Sequence, residues 1–546
     1  MFVRLKKTGN YNYLQIVQTY REGKKVKQRV ISTLGRLEEL QAKGDIESII
    51  GSLSNYSHEV LMCLTGKGDP KGESFIIGPV LVFERLWKDS GLHSVINQLL
   101  EGRKYGFDVE KAIFVTVLHR LFISGSDRSC EHWMKGYRID DSEKLSLHHF
   151  YRAMAFLGSS IDEQLGKTPF APRCIKDLVE ERLFSLRRNL FTELELVFFD
   201  TTSIYFEGKG GDEIGQYGNS KDHRSDRVQM VVGAVLDNKG FPLCCEIWPG
   251  NTADVNTLLP VVNRLRKRFG VESMCVVADR GMISQVTVKA MEAKGLNYIL
   301  GVRMRRVNNV KREVISRAGR YQEVVPELNL SKAPAPLKVK EVMYDDTRYI
   351  VCLNPRQARK DKADRGIIVE DLKDRIKSGA KSMIGNKGYR KYLQVTKDTI
   401  RIDESKVREE ERYDGKWVLT TNLDMPADKV ALKYKELWRV EYVFRDVKSI
   451  LETRPIYHKV DETIRGHVFC SFLALVLRKE LDMRMEAMGE YVEWLQIKQD
   501  LKRLQEVVIE QSGKKIALRT EASGECHKVF KAIGMTMPPT IRKIGM

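Results

Sequence analysis

Apolar and polar positions change their period several times along this chain, and each change predicts a different kind of element. Over residues 1 to about 50, "YNYLQIVQTY" and "KQRVISTLG" read as short strands joined by the basic turn "REGKK" and followed by a polar helix. From about Gly78 to Asn189 the period lengthens to that of helices, as in "GPVLVFERLWKDSGL", "DVEKAIFVTVLHRLF" and "LHHFYRAMAFLG". A helix-turn-helix and a plain bundle share this periodicity. The N-terminal strands fit a DNA-facing sheet and a solvated hairpin equally.

The next segment is the most informative. "LELVFFDTTSIYFEG" (Leu194 to Gly208) is an apolar run of strand-forming residues around Asp200, and "VQMVVGAVLDNKGFPLCCEIWPG" places two strands about the turn signal "DNKG". "NTADVNTLLPVVNRLRKRFG" then reads as a helix with Asp254 near its cap. "SMCVVADRG" reads as a buried strand ending at Asp279, "SQVTVKAMEAKG" as a helix and "NYILGVR" as a strand. The order βββ-α-β-α-β, with one Asp in the first strand and another ending the fourth, predicts a ribonuclease-H-like mixed sheet rather than an alternating doubly wound one.

After Arg303 the pattern breaks. "RMRRVNNVKREVISRAGR" sets seven Lys or Arg against one Glu, and "LKVKEVMYDD" and "TRYIVCLNP" read as short strands before a charged segment to Arg412. This predicts a β-rich basic insertion interrupting the core, which "DGKWVLTTN" (Asp414 to Asn422) rejoins as a strand. "EYVEWLQIKQDLKRLQEVVIEQ" reads as a C-terminal helix. The chain is thus expected to be a multidomain α/β protein: a small basic β-containing region at 1–75, a helical, DNA-binding domain at 76–190, core at 191–304, insertion at 305–413, core again at 414–480, and a helical region at 481–546.

One predicted helix has the wrong face. In "YKELWRVEYVFRDVKSILETRP" (Tyr434 to Pro455), at about 100° per residue, Tyr434, Glu441, Arg445 and Lys448 fall within about 60° of one another, beside Leu437 and Phe444. Charges on a half-buried face are costly unless paired or coordinated, so this stripe predicts the wall of a polar site. Two strand-end aspartates and a helical glutamate are what a two-metal phosphoryl-transfer site requires. Mg²⁺ takes hard oxygen ligands and leaves positions for water and phosphate. Two such ions about 3.5–4 Å apart assist both the attacking and the leaving oxygen. Asp200, Asp279 and Glu441 are therefore the candidate catalytic and metal-binding residues, with two Mg²⁺ as cofactor and Mn²⁺ as a substitute. Tyr434, Arg445 and Lys448 are the candidate DNA-binding residues. Each acid singly also has a duller role, as an Asx turn (Asp200), a strand-end turn residue (Asp279) or an i,i+4 partner of Arg445 (Glu441).

Composition points to the same partner. The 546 residues carry 92 Lys plus Arg against 73 Asp plus Glu, a formal charge of +19, with 42% hydrophobic residues. That is a folded chain with a basic surface, and the commonest polyanionic partner is nucleic acid. Nine cysteines, without a CxxC pair, argue against a zinc site or a disulfide framework and for a reducing compartment. The longest apolar run, around "HVFCSFLALVL" (His467 to Leu477), is too short to cross a bilayer, so a cytoplasmic, nucleoid-associated protein without a membrane partner is expected.

These residues resemble the bacterial insertion-sequence DDE transposases of the insertion-sequence-four superfamily. The hallmark helix of that group, Y-(2)-R-(3)-E-(6)-K, is met here by Tyr434, Glu441 and Lys448, with Leu437 where Arg is usual. The sixteen-thirty-four type is closer still. Its motifs appear as "TYREGKKVKQRVISTLG", "GNSKDHRSD", "WPGNTAD", "VADRGM" and "LWRVEYVFRDVKSILETRPIYH", over nearly the whole chain. The resemblance implies Asp200 and Asp279 as metal-binding aspartates, Glu441 as the third acid, and Tyr434 and Lys448 as contacts to the terminal DNA strand. It further implies cleavage at the ends of a mobile element to free a 3′-OH, which attacks target DNA. A homodimer is expected because two ends are joined in one event. Two rivals remain: a metal-dependent nuclease that cuts without joining, and a catalytically silent DNA-binding regulator.

Overall fold

A computed structural model describes residues 1–23, 25–54, 71–123, 125–161, 171–187, 196–271, 274–324, 337–378, 387–396, 400–437, 440, 456–511 and 514–544. Contacts divide the chain into two units: Met1–Phe75 with Leu504–Ala522 and Met537–Met546, and Ile76–Arg503 with Ser523–Thr536.

The first unit opens with an antiparallel meander of β1 (Phe2–Thr8), β2 (Tyr11–Glu22) and β3 (Lys25–Arg36). Strand β1 goes beyond the sequence expectation, since three cations in seven residues hide its alternation. The register sets Tyr20 opposite Lys27 and Gln18 opposite Arg29. Helices Leu37–Lys43 and Asp45–Ser54 and strand β4 (Lys71–Ile76) follow.

The second unit begins with helices. Val109–Phe122 is buried at nearly every position and is capped by Asp108, whose carboxylate accepts the Lys111 N–H at 2.8 Å. It packs on Leu147–Gly158 and on the long helix Asp461–Ala487. The last two meet backbone to backbone. A Cβ on Gly158 would stand 1.9 Å from the Glu462 carbonyl oxygen, and one on Gly466 would stand 1.9 Å from that of Met154. Only glycine allows that approach.

Behind the helices lies the main sheet. Its first five strands are β5 (Leu196–Tyr205), β6 (Gln229–Leu236), β7 (Pro242–Pro249), β8 (Cys275–Ala278) and β9 (Asn297–Val302). They lie in the order β7-β6-β5-β8-β9, with β5, β8 and β9 parallel and β6 and β7 antiparallel. Every residue of β6 is buried, as in a sheet covered on both faces. Helices Leu258–Phe269 and Gln285–Glu292 pack Val261, Leu265 and Met291 into a core with Phe199, Trp248 and Tyr298.

Between this sheet, helix Ile175–Arg187 and helix Leu258–Phe269 runs a buried ionic network. Arg264 bonds Asp177 and Glu246, each at 2.6 Å, and Arg268 bonds Glu180 at 2.7 Å. Lys176 reaches Asp177 at 2.6 Å.

Strands β10 (Gln322–Val324), β11 (Leu337–Tyr344) and β12 (Thr347–Leu353) extend the sheet beyond β9 through a later strand of the chain, Lys416–Thr421. The interruption expected to be β-rich is in fact mixed. It carries the 23-residue helix Pro355–Lys377, helix Glu404–Glu411, and a small ladder of β13 (Leu393–Val395) and β14 (Ile400–Ile402). The long helix escaped notice because few of its residues are apolar. Asn354 caps it, Pro355 begins it, and Arg375 pairs with Asp371 along its face. Strand Lys416–Thr421 is β15.

The C-terminal helix expected over "EYVEWLQIKQDLKRLQEVVIEQ" stops early. Trp494–Arg503 is helical, and "QEVVIEQ" is strand β16 (Gln505–Gln511), which pairs with β17 (Lys514–Arg519). With β18 (Ile541–Ile544) and β4 they form the second sheet of the first unit, in the order β18-β17-β16-β4. Alternating Val507 and Ile509 had been absorbed into the preceding helical period. The region 481–546 is therefore mixed rather than helical.

Candidate active site

Parallel pairing decides where the aspartates stand. Phe199 of β5 is registered with Ala278 of β8, so the next residues, Asp200 and Asp279, come side by side across the two strands. Asp200 accepts the Thr201 N–H at 2.7 Å. Burial, opposed by the Lys221 charge and the Thr201 N–H and aided by the negative charges of Asp279 and Asp254, leaves the Asp200 carboxyl raised to about 6. The negative charges of Asp279 and Asp254 thus bear on the part-buried Asp200, and a divalent cation is the species that relieves such a concentration of charge. Carboxylate oxygens are the hard donors that a divalent metal takes.

Asp254 belongs to this group although its sequence suggested only a helix cap. The helix starts at Leu258, after the short turn Asp254–Asn256, and the Asp254 carboxylate faces the sheet. It accepts the Thr201 hydroxyl at 2.8 Å and pairs with Lys221 Nζ at 3.1 Å. Lys221 also donates to the Thr201 carbonyl at 2.7 Å and to its hydroxyl at 2.9 Å. The clamp fixes the strand residue next to Asp200. The only sequence signal for it was that "GNSKDHRSD" and "WPGNTAD" were among the motifs that carried the resemblance. On the far side, Arg303 holds the turn after Asp279 by donating to the carbonyls of Arg280 (2.9 Å) and Gly281 (2.8 Å).

Tyr434 comes from helix Ala427–Lys435, which follows β15. Its hydroxyl donates to Asp279 Oδ1 at 3.1 Å. The ring reaches Asp279 across β9 because position 301 is glycine: a Cβ there would lie 2.4 Å from the Tyr434 oxygen. Asp279, Arg280, Trp417, Tyr434 and Leu437 line a cleft of about 310 Å³. Leu437, which stands where the hallmark has Arg, is 6% exposed and forms part of that wall. Of the expected site residues, Asp200, Asp279 and Tyr434 are thus brought together. Glu441, Arg445 and Lys448 lie outside the described residues.

Comparison with protein families matches residues 192–477, more than half of the chain, to the transposase DDE domain. The chain therefore belongs to the DDE transposases. Residues 3–61 match the N-terminal domain of IS1634 family transposases, and the two matches together make it a DDE transposase of the IS1634 type. No curated protein matches the chain. Membership implies a DNA-binding enzyme that cleaves and transfers DNA and uses a divalent metal. Among the described residues no helix is long and apolar enough to cross a membrane.

Proposed function

We propose that the enzyme binds the terminal repeats of its insertion sequence, cleaves the phosphodiester at each end and transfers the freed 3′-OH ends to target DNA. The observation that carries this reading is the placement of Asp200 and Asp279 one residue beyond the paired Phe199 and Ala278 of parallel strands, with Tyr434 bonded to Asp279 from a helix later in the chain. The β7-β6-β5-β8-β9 order, with one antiparallel strand between the edge and the first parallel strand, supports a ribonuclease-H-like core.

Asp200 and Asp279 would hold the metal, with Glu441 as the third acid seven residues beyond Tyr434 in the sequence. Two Mg²⁺, or Mn²⁺ in their place, would supply charge neutralisation and activation of the attacking oxygen in an in-line displacement. This chain's own residues do the positioning. Lys221 and Thr201 hold Asp254 and the strand beside Asp200, and Tyr434 orients Asp279. Arg445 and Lys448, four and seven residues beyond Glu441 in the sequence, would meet the phosphate backbone. The helical domain 76–190 and the basic N-terminal region contribute DNA contacts, and a homodimer synapses the two ends in a cytoplasmic, nucleoid-bound complex.

The test is incubation of the purified protein with a labelled end of its own element, with Mg²⁺ or with chelator, for wild type and Asp200→Asn. Metal-dependent cleavage exposing a 3′-OH that joins a second duplex, lost in the variant, is the expected result. Cleavage without joining would make the protein a nuclease, and binding without cleavage a regulator.

A further inference from the structure

Away from the three aspartates, a second cluster brings together residues distant in sequence. Asp127 lies in the first turn of helix Asp127–Trp133, His467 on helix Asp461–Ala487, and His458 in the extended stretch before that helix. His458 Nε2 is 3.0 Å from Asp127 Oδ2 and 3.1 Å from His467 Nδ1, and His467 Nδ1 is 3.4 Å from Asp127 Oδ2. All three side chains are at most 10% exposed. Ligands about 2.0–2.2 Å from a divalent ion stand about 3.0 Å apart in octahedral and about 3.4 Å apart in tetrahedral coordination, the same range as these edges.

Hydrogen bonds draw the three side chains together in the absence of metal. His458 N–H can serve Asp127, and Arg120 Nη2 donates to His467 Nδ1 at 3.0 Å and to Asp127 Oδ1 at 3.2 Å. A divalent ion at the centre of the triangle would take the place of the hydrogen bonds within it. The triad also borders a cavity of about 560 Å³ lined by Ser126, Tyr151, Tyr457 and Lys459, which leaves room for water in the remaining positions.

We propose that Asp127, His458 and His467 form a metal site separate from the aspartate site, taking a borderline divalent ion of the Zn²⁺ class and tying the start of helix Asp461–Ala487 to helix Asp127–Trp133. Two imidazoles and one carboxylate select Zn²⁺, Co²⁺ or Ni²⁺ over Mg²⁺, whose preferred ligands are oxygens. Arg120 is the group that gives way. The ion replaces its hydrogen bond to His467, while Asp127 Oδ1 and Ser471 Oγ, at 2.7 Å, continue to hold the guanidinium. The role is structural: the site joins segments 331 positions apart.

Full-length protein stripped with chelator and returned to Zn²⁺ in excess Mg²⁺ tests this by metal analysis and calorimetric titration. One Zn²⁺ per chain is expected in wild type and in the double variant Asp200→Asn, Asp279→Asn, with at least a tenfold loss of affinity in His458→Ala. Co²⁺ as probe is expected to give ligand-field absorption that the His458→Ala variant lacks. Because His458 is only part-buried, a melting curve in the absence of metal shows that this variant folds, and Zn²⁺ should raise the midpoint of wild type alone. No stoichiometric Zn²⁺ in wild type, equal affinity in His458→Ala, or loss in the double aspartate variant would each overturn the proposal.

Discussion

Asp200 carries the main electrostatic tension of the active site. Its carboxyl, raised from an ordinary value of 3.8 to about 6, favours the protonated form in the metal-free fold. A raised carboxyl contributes stability that is fully present below its unfolded value and is lost as pH rises through its folded value. Metal-free protein should therefore lose stability between about pH 4 and pH 6 by more than Asp200→Asn does, as read by denaturant midpoints across that window. Divalent-metal affinity should rise over the same window, because the ionised form is the ligand. Tyr434 acts on the neighbouring acid. Hydrogen bonds to charged groups are worth about 1.5–3 kcal/mol, so Tyr434→Phe should slow cleavage by tenfold or more and lower the melting midpoint while leaving the protein folded. An unchanged cleavage rate would mean that the Tyr434–Asp279 bond has no part in the reaction.

At the scale of elements, helices Ile175–Arg187 and Leu258–Phe269 are tied to each other and to β7 by the buried ionic network. Arg268 lies 1% exposed against Asp177, Glu180, Glu181 and Glu246, and Arg264 shares two of these partners. Removing one member of a buried network leaves uncompensated charge, at a cost of about 3–5 kcal/mol. Arg268→Ala should lower the denaturant midpoint accordingly, and the variant is expected to be largely insoluble at elevated temperature. This network was not legible in the sequence. "VEERLFSLR" and "NRLRKRF" look like ordinary solvated charged faces, and only the packing of helix Leu258–Phe269 against helix Ile175–Arg187 turns them inward. The strands were legible, since "LVFFDTTSIY" and "CVVA" are dense runs of strand-forming residues with few polar interruptions.

For the whole molecule, the charge of +19 is a statement about DNA. On β3, Lys25, Lys27 and Arg29 alternate onto one exposed face, beside Gln18 and Tyr20 of β2. Each phosphate contact contributes about −0.9 to the slope of log affinity against log salt. Replacing all three cations by Ala should reduce the magnitude of that slope by up to about 2.7 for terminal-repeat DNA. An unchanged slope would remove the N-terminal sheet from the DNA interface.

What the sequence determined by itself is what local physics controls. The period of two and the runs of Val, Ile and Phe placed β5 to β9 in order, and that order put Asp200 and Asp279 on strands that turn out to be parallel neighbours. The charged stripe from Tyr434 onward predicted one helix bordering a polar site; Tyr434 does stand at such a site, but in the last turn of helix Ala427–Lys435, with a turn at Glu436 and Leu437, and Glu441, Arg445 and Lys448 lie outside the described residues. What only the tertiary structure decided are the contacts between distant segments. Thr201, Lys221 and Asp254 meet because the interior strand β5 and two loops close on one another. Asp127 meets His458 and His467 because two helices pack. The charged helix Pro355–Lys377 and the strand after Arg503 also needed the fold, since their apolar positions are too few or too mixed in period to declare themselves. Periodicity is set by a residue's immediate neighbours along the chain, whereas convergence of side chains is set by burial of surfaces hundreds of residues apart.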